Sequence, residues 1–598
     1  MIWFDMDYTV FRDYTVFSVD YLPFYLIINF LIYILFILLF FILRYYITSK
    51  SLIIFCSLIL LSILYHYYRT YMYFLDKDGN LTFGSTNFVS EFSTINFSLY
   101  FSLNKLSFLF SFLVFLIGFL TNIYSLNYFK NEADEMGFLF WLNSFIISMV
   151  ILVMSNNFYT LFLGWELIGL TSFFLINFWS SRRATLKASF KAFSFNLISD
   201  LSLLTALVVL YVNYHTTSIS ELSTLLTVES VGKNYTDYIA GILLLTCASI
   251  KSVQILGHLW LPDSMEAPVP ASSLIHSATL VSAGVFLLLR FYFLIEQLEL
   301  QKYIFFLGCF TAAYGGVVAA AQTDVKRLLA YSTMSHCGFL FVLVSTNDIY
   351  VTIVYLFLHG IFKASTFFCV GSFIRIYGTQ DTRLMGSATQ VNWIDTFFFL
   401  LCASNLCGLP FTVGITYKNL FLRAIVLDNI NTLCIGFIFI GLLCSLIYFY
   451  RLIYYTIFDI WKINWASTTL YREMYNNNGV KDPRVRFFWP LFRDSRQGTF
   501  SHWFVMFLMT IAIFYIYSII IFYNNDLFRN ENVMISYTLN SNILKNFLKS
   551  FYISYLVIFY SLYLLIYLII LLITWRKNIY FFNKFYLLLY LPLIILVL

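Results

Sequence analysis

Charge is what this sequence has least of. Of its 598 residues only 11% are charged, against 61% hydrophobic and 21% aromatic. So little polar surface cannot cover a water-soluble globule of this length, which points to a membrane protein. Helix breakers are scarce as well, with 8 prolines and 24 glycines, so those that interrupt apolar stretches carry information. The 9 cysteines stand singly: Cys56, Cys247, Cys309, Cys337, Cys369, Cys402, Cys407, Cys434 and Cys444. None forms a CxxC pair or stands beside histidines at ligand spacing, which argues against an iron–sulfur cluster or a structural zinc. A Walker motif and a strand-embedded GxGxxG are also missing, so no cofactor is expected on this chain. The formal net charge is +6, yet the basic residues are scattered between apolar runs without forming a cationic face. Nucleic acid is therefore not an expected partner.

What the sequence has in abundance is long apolar runs. A hydrocarbon core of about 30 Å takes roughly 20 helical residues, and runs of that length recur at 24–43, 52–74, 106–128, 137–154 and onward. About fifteen or sixteen spans are expected on that length criterion. The first run follows a polar segment containing Asp5, Asp7, Arg12, Asp13 and Asp20. It lacks the basic start and small-residue cleavage site of a secretory signal, and is expected to be a retained span. A β-barrel is excluded because the runs are too long for strands and lack period-2 alternation. The expected fold is an all-α polytopic membrane protein.

Basic residues cluster after odd-numbered spans: Arg44 and Lys50, then Arg182, Arg183 and Lys187, then Lys326 and Arg327, then Arg375 and Arg383. The loop 458–501 is the most basic, and loops after even-numbered spans lean acidic. The odd loops are thus expected on the inside, with the amino terminus outside.

A charge at the centre of a membrane helix costs about 2.5 to 3.5 kcal/mol on insertion scales, so each one at span depth marks a candidate site. Those candidates are Glu166, Asp200, Lys251, His258, His276, His336, His359, Lys363 and Lys418. His359 and Lys363 are four apart and share a helical face, which packing alone does not explain. Asp200 reads either as a site residue or as a polar group facing a neighbouring helix. His336 reads as a histidine near a span end and is not expected to be essential. In the stretch "LGHLWLPDSMEAPVPASSLIHSATLVSAGV", residues 256–285, Asp263, Glu266 and the prolines are expected to form a connection facing the inside. His258 and His276 are expected on the two helices it joins.

Lys251 precedes Gly257 and Pro262, and Lys418 follows Gly408, Pro410 and Gly414. Such residues interrupt helices at membrane depth, which is tolerated beside a cavity or buried polar site. Two interrupted segments at corresponding places signal an internal repeat. The expected organisation is N-terminal helices over 1–136, two inverted five-helix repeats over 137–300 and 301–456, and a basic inside loop with further helices over 457–598.

The segments "LFLGWELIGLTSFFLI", "CASIKSVQILGHLWLPDSMEAPVPASSLIHSATLVSAG", "AQTDVKRLLAYSTMS" and "LHGIFKASTFF" resemble the chain 5 family of proton-pumping NADH:ubiquinone oxidoreductase, the distal antiporter-like membrane subunit of respiratory complex I. The resemblance implies proton translocation across the inner mitochondrial membrane and contact with other membrane-arm subunits, accessory subunits and lipids. FMN, iron–sulfur clusters and ubiquinone would sit on partner subunits. It implies that Glu166 and Lys251 form a charge pair, that His276, His359 and Lys363 continue a proton relay to Lys418, and that Asp200, His258 and Tyr355 are secondary members of the path. Tyr355 departs from the family, which often has a histidine there; a tyrosine passes a hydrogen bond but does not readily hold an extra proton, so the relay is expected to lean on water. Asn419 stands where an acid commonly follows the lysine.

The family's long in-plane helix is expected to be reduced or absent, because 550–574 is apolar on every face and reads as a span. Moving Glu166 relative to Lys251 would change how firmly the lysine holds its proton in a low-dielectric interior. Two other readings stand beside this one. The large subunit of a multisubunit sodium/proton antiporter shares the motif set, whereas an inert scaffold would leave the buried charges unexplained. Many Phe and Tyr against few Gly and Pro look like an AT-rich organellar gene and favour the respiratory reading.

Overall fold

The computed structural model describes residues 29–38, 49–76, 81–88, 97–129, 134–228, 235–277, 279–386, 388, 393–409, 412–426, 432–459 and 507–510. Most of the basic loop 458–501, the runs 550–574 and 581–598, and with them the question of an in-plane helix, lie outside these residues. Within them, nine helices are long and apolar enough to cross a membrane. The chain is a multi-pass membrane protein.

In chain order the helices are α1 (Asn29–Leu38), α2 (Ser49–Asp76), α3 (Lys105–Tyr128), α4 (Glu135–Met154), α5 (Phe158–Ile176), α6 (Arg183–Tyr214), α7 (Ile219–Val228), α8 (Tyr235–Lys251), α9 (Val269–Ser277), α10 (Leu280–Arg290) and α11 (Tyr292–Gln297). They continue with α12 (Gln301–Ala321), α13 (Val325–Ser345), α14 (Ile349–Tyr377), α15 (Trp393–Cys407), α16 (Val413–Val426) and α17 (Thr432–Ile453). The architecture is all-α as expected, save for one antiparallel hairpin of β1 (Leu81–Phe88) and β2 (Phe97–Leu103). The β2 sequence "FSLYFSL" places serine among apolar residues with partial period-2 alternation, a strand signal the apolar-run reading passes over.

Burial sorts the helices into a centre and a rim. The most apolar window of α14 lies wholly inside the protein, and so does that of the α9–α10 segment, whereas only 39% of the corresponding window of α6 and 28% of that of the α17 segment are enclosed. On α6 the outward stripe is Phe190, Ile198, Leu201, Val208 and Val212, while Ala188, Ala192, Asn196, Ser199 and Leu203 face inward. Apolar residues outside and polar ones inside is the reverse of a soluble helix, and fits a lipid-facing rim. The centre is laid out by α14, which packs against α3, α9, α13, α15 and α16. Glycine lets helices approach there: a Cβ at Gly360 of α14 would stand 3.1 Å from the Ser277 carbonyl oxygen at the end of α9.

Contacts between loops define two ends. At one, β2 meets the α4–α5 turn (Phe101 bridging Ser155), Asn157 bridges Ser218, and Arg290 donates to Ser102 Oγ at 3.2 Å and Asn156 Oδ1 at 3.0 Å. At the other, Lys191 pairs with Asp263 at 2.7 Å, and Asp324 bridges Asp381. Loops after even-numbered spans therefore gather at one end and those after odd-numbered spans at the other, which agrees with the alternation of the sequence charges.

Three helices are interrupted near the centre. The first, α8, stops at Lys251, and residues 252–262 run as turns. Its freed carbonyls are served locally: Gln254 N donates to Ser249 O at 2.8 Å, and Trp260 Nε1 to Ile250 O at 3.1 Å. A second interruption falls at Thr279, between α9 and α10, where Thr279 Oγ1 reaches back to Leu274 O at 2.8 Å. The third separates α15 from α16. Gly408 there has φ +70°, and the first turn of α16 is held by Asn405 Oδ1, which accepts from Gly414 N at 3.1 Å. Pro410 lies outside the described residues.

Candidate proton-handling site

Two polar clusters occupy this apolar interior. The first lies where α5, α6 and α8 meet. Lys251, the last residue of α8, places Nζ 3.6 Å from Asp200 Oδ1 on α6, and both side chains are almost fully enclosed. Asp200 Oδ1 also accepts from Ser199 Oγ at 3.0 Å. The ammonium sits 5.1 Å from the centre of the Trp165 ring, a cation–π distance. Gly169 of α5 lies against the pair: a Cβ there would be 3.5 Å from Lys251 Nζ and 3.7 Å from Asp200 Oδ2.

Glu166 is one turn before Gly169 and so shares its face. It is only partly buried, and its charge interacts with those of Asp200 and Lys251. The Glu166–Lys251 contact implied by the resemblance is thus not the ion pair formed here; the lysine pairs with Asp200. The reason is rotation: the inward stripe of α6 aims Asp200 at the end of α8. Asp200, read from sequence as either a site residue or a mere neighbour contact, is the direct counter-charge.

The second cluster surrounds α14. His359 and Lys363 stack on one face of it as their spacing predicts. Lys363 Nζ donates to Leu329 O at 3.3 Å and also to Ser332 Oγ, both on α13. His336 belongs to the same cluster. It is the twelfth of the 21 residues of α13, in mid-helix, which corrects the expectation that it stands near a span end. Its Nδ1 is 2.7 Å from the Tyr355 hydroxyl, its Nε2 is 3.4 Å from the Tyr448 hydroxyl, and its ring centre is 4.9 Å from that of His359. Tyr355 therefore takes part through a direct hydrogen bond to a histidine one helix away. Lys418, on the first half of α16, donates to Cys407 O at 2.7 Å across the break and to Ser445 Oγ at 3.2 Å. The charges of Lys363 and Lys418 both act on His336, and that of Lys363 on His359 and His276. Asn419 is exposed and forms no part of this cluster.

His276 lies between the clusters on α9, with Nε2 3.2 Å from Ser264 Oγ and its ring stacked near Trp260 and tilted against Phe367. Its Nδ1 has no hydrogen-bond partner among the described residues, nor does Lys251 Nζ. His258 is not on a helix, contrary to expectation: it falls in the irregular stretch after α8, edge-on to Tyr314 at 5.1 Å. Asp263 and Glu266 form the 3-10 turn Asp263–Glu266 of the inside connection, the structural role expected of them. Lys326 is a residue the sequence placed in a loop. It is buried at the start of α13, and its ammonium donates to Ala267 O at 3.1 Å and to Met265 O at 3.4 Å, which pins that connection to α13. Among the described residues no His, Cys, Asp and Glu gather at metal-ligand geometry.

Two broken apolar helices each present a buried lysine, with histidines on α9, α13 and α14 in the same bundle, an arrangement that fits an antiporter-like membrane protein. Residues 155–446 match the family described as NADH:quinone oxidoreductase/Mrp antiporter, transmembrane, and residues 88–139 match the N-terminal family of NADH-ubiquinone oxidoreductase (complex I) chain 5. NADH-ubiquinone oxidoreductase chain 5 of Paramecium tetraurelia is 43% identical over 61% of this chain and 65% of its own length. That of Wickerhamomyces canadensis is 31% identical over 71% of this chain and 66% of its own. The matched stretches therefore span just under two thirds of these relatives. A solved structure of the Mrp complex from Dietzia sp. superposes with a TM-score of 0.63 over 93% of this chain and 63% of that one, at 20% identity, a likeness of fold. Over residues 88–139 and 155–446 the chain is thus similar to the chain 5 family of NADH–ubiquinone oxidoreductase.

Proposed function

We propose that this chain is a proton-translocating membrane subunit of respiratory NADH:ubiquinone oxidoreductase, working in the mitochondrial inner membrane. The observation that carries the reading is the buried Asp200–Lys251 pair at a helix break, with a protonatable series of His276, Lys363, His359, His336 and Lys418 inside the same helix bundle. Glu166, on the face of α5 turned toward the pair, supplies a second carboxylate. When a neighbouring subunit moves α5, the lysine's surrounding negative charge changes, and in a low-dielectric interior that alters how firmly it holds its proton. The proton then steps to the second cluster, where hydroxyls of Tyr355, Tyr448 and Ser332 relay hydrogen bonds between nitrogen bases. His258 and Asp200 flank the entry to this line. The segments 137–300 and 301–456 act as two inverted units, each with one broken-helix lysine. Flavin, iron–sulfur clusters and ubiquinone act on partner subunits, so this chain contributes to an enzyme without performing its redox step.

The likeness to an Mrp complex keeps a second reading in view, the large subunit of a sodium/proton antiporter. The two differ in what drives them. Purification in mild detergent separates them: a co-purifying hydrophilic arm with NADH oxidation supports the respiratory subunit, and a complex of membrane subunits alone without that activity rejects it.

A further inference from the structure

The stretch after Lys251 contains a conformational anomaly. Val253 and Leu256 have φ of +61° and +76°, a left-handed backbone that β-branched and bulky residues adopt only when their surroundings enforce it. One contact to this stretch comes from another helix. Gln254 is fully buried between these two residues; its Nε2 donates to Ser252 O at 3.2 Å, and its Oε1 accepts from Thr311 Oγ1 of α12 at 2.6 Å. Thr311 in turn is wedged into α13: a Cβ added to Gly338 would stand 2.6 Å from Thr311 Oγ1. Gly338 is two residues from His336. One chain of contacts thus runs from the backbone beside Lys251, through a single amide, to the helix that carries His336.

We propose that Gln254 is a positioning residue, which through Thr311 fixes the break after α8 so that Lys251 faces Asp200 and couples that break to α13 in the second half of the site. The inference rests on the proton-translocating reading above. Neither side chain needs to carry a proton. The amide sets where the lysine points, and movement of α12 against α13 is felt at the break because the hydrogen bond is buried away from solvent and, at 2.6 Å, is shorter than the 2.9 Å contact of the same hydroxyl with Gly308 O of its own helix.

The test uses membrane vesicles holding the assembled complex and reads protons taken up per NADH oxidised, with NADH oxidation by an artificial acceptor as the measure of assembled enzyme. Thr311→Val keeps the shape and removes the donor. It lowers the proton ratio by about fivefold or more, the order expected from one buried acceptor left unpaired, while acceptor reduction persists. Gln254→Ala gives a similar loss, the double variant is no worse than either single one, and Thr311→Ser restores the ratio. An unchanged ratio in Thr311→Val, additive losses, or failure of Thr311→Ser to restore it overturns the proposal. Lys251→Ala measured in parallel tests the underlying reading: an unchanged ratio there removes the pumping assignment, and the proposal with it. A lost ratio there beside a normal one in Thr311→Val overturns the positioning role alone.

Discussion

An ammonium and a carboxylate withdrawn from water together are tolerable; either one alone is not. Removing one member of a buried ion pair typically costs about 3–5 kcal/mol because the other is left uncompensated. Lys251 and Asp200 are in that position, held 3.6 Å apart with almost no exposure, and the charge of Glu166 on α5 interacts with both. His336 has an equally defined environment, bonded to Tyr355 and 4.9 Å from the ring of His359. His336→Gln, which keeps a polar side chain and loses the base, is expected to slow proton pumping by about a hundredfold, the lower end of the range by which a positioned acid or base contributes. Tyr355→Phe should give a smaller loss, and equal pumping in both variants and the wild type would remove His336 from the path. The ionisable residues were readable in the sequence because charge in an apolar run is conspicuous. Their partners were not. Whether Lys251 meets Glu166 or Asp200 depends on how α5 and α6 are rotated about their axes, which 3.6-residue periodicity leaves open when all faces are apolar.

At the scale of elements, the breaks matter more than the helices. The Gly and Pro residues signalled two of them, and the structure adds that the lysines occupy opposite sides of their breaks. Lys251 ends α8, whereas Lys418 follows its break and reaches back across it to Cys407 O. The break between α9 and α10 lies in "SSLIHSATL", a stretch without glycine or proline, so sequence gave no warning of it. The β1–β2 hairpin escaped for a similar reason, since its strands lie between long apolar runs that dominate the reading. Gly408 shows what the third break requires. Its φ of +70° disfavours any side chain, and a Cβ would stand 2.7 Å from Lys418 Cδ. Gly408→Ala should therefore destabilise the protein by about 1–3 kcal/mol and displace Lys418. In the purified complex this would be read as a lower thermal transition together with reduced proton uptake. A variant with an unaltered transition and full uptake would show that the break does not depend on this glycine.

For the whole molecule, the distribution of burial follows the distribution of chemistry. Helices α9, α10, α13 and α14, which carry or flank His276, His336, His359 and Lys363, are enclosed, and α6 and α17 present apolar stripes outward. Of the described residues, nearly all the buried ionisable groups fall within this enclosed centre or at its border with α6, α8 and α16. Composition alone made the membrane class legible, and the motif order made the family legible. Two clusters instead of one continuous line is what the folded structure adds: Asp200–Lys251 on one side, the His336–His359–Lys363–Lys418 group on the other, and His276 between them. Moving one charge through a potential of about 100 mV takes about 2.3 kcal/mol, and the energy available from rearranging a buried pair is of that order. The most direct test is the number of protons taken up per NADH oxidised in vesicles carrying Lys251→Ala or Lys418→Ala, with the assembled complex quantified in each. Pumping should fall by at least several-fold in both variants while NADH oxidation by an artificial acceptor continues. Wild-type ratios in both would contradict the assignment of these lysines to the proton path.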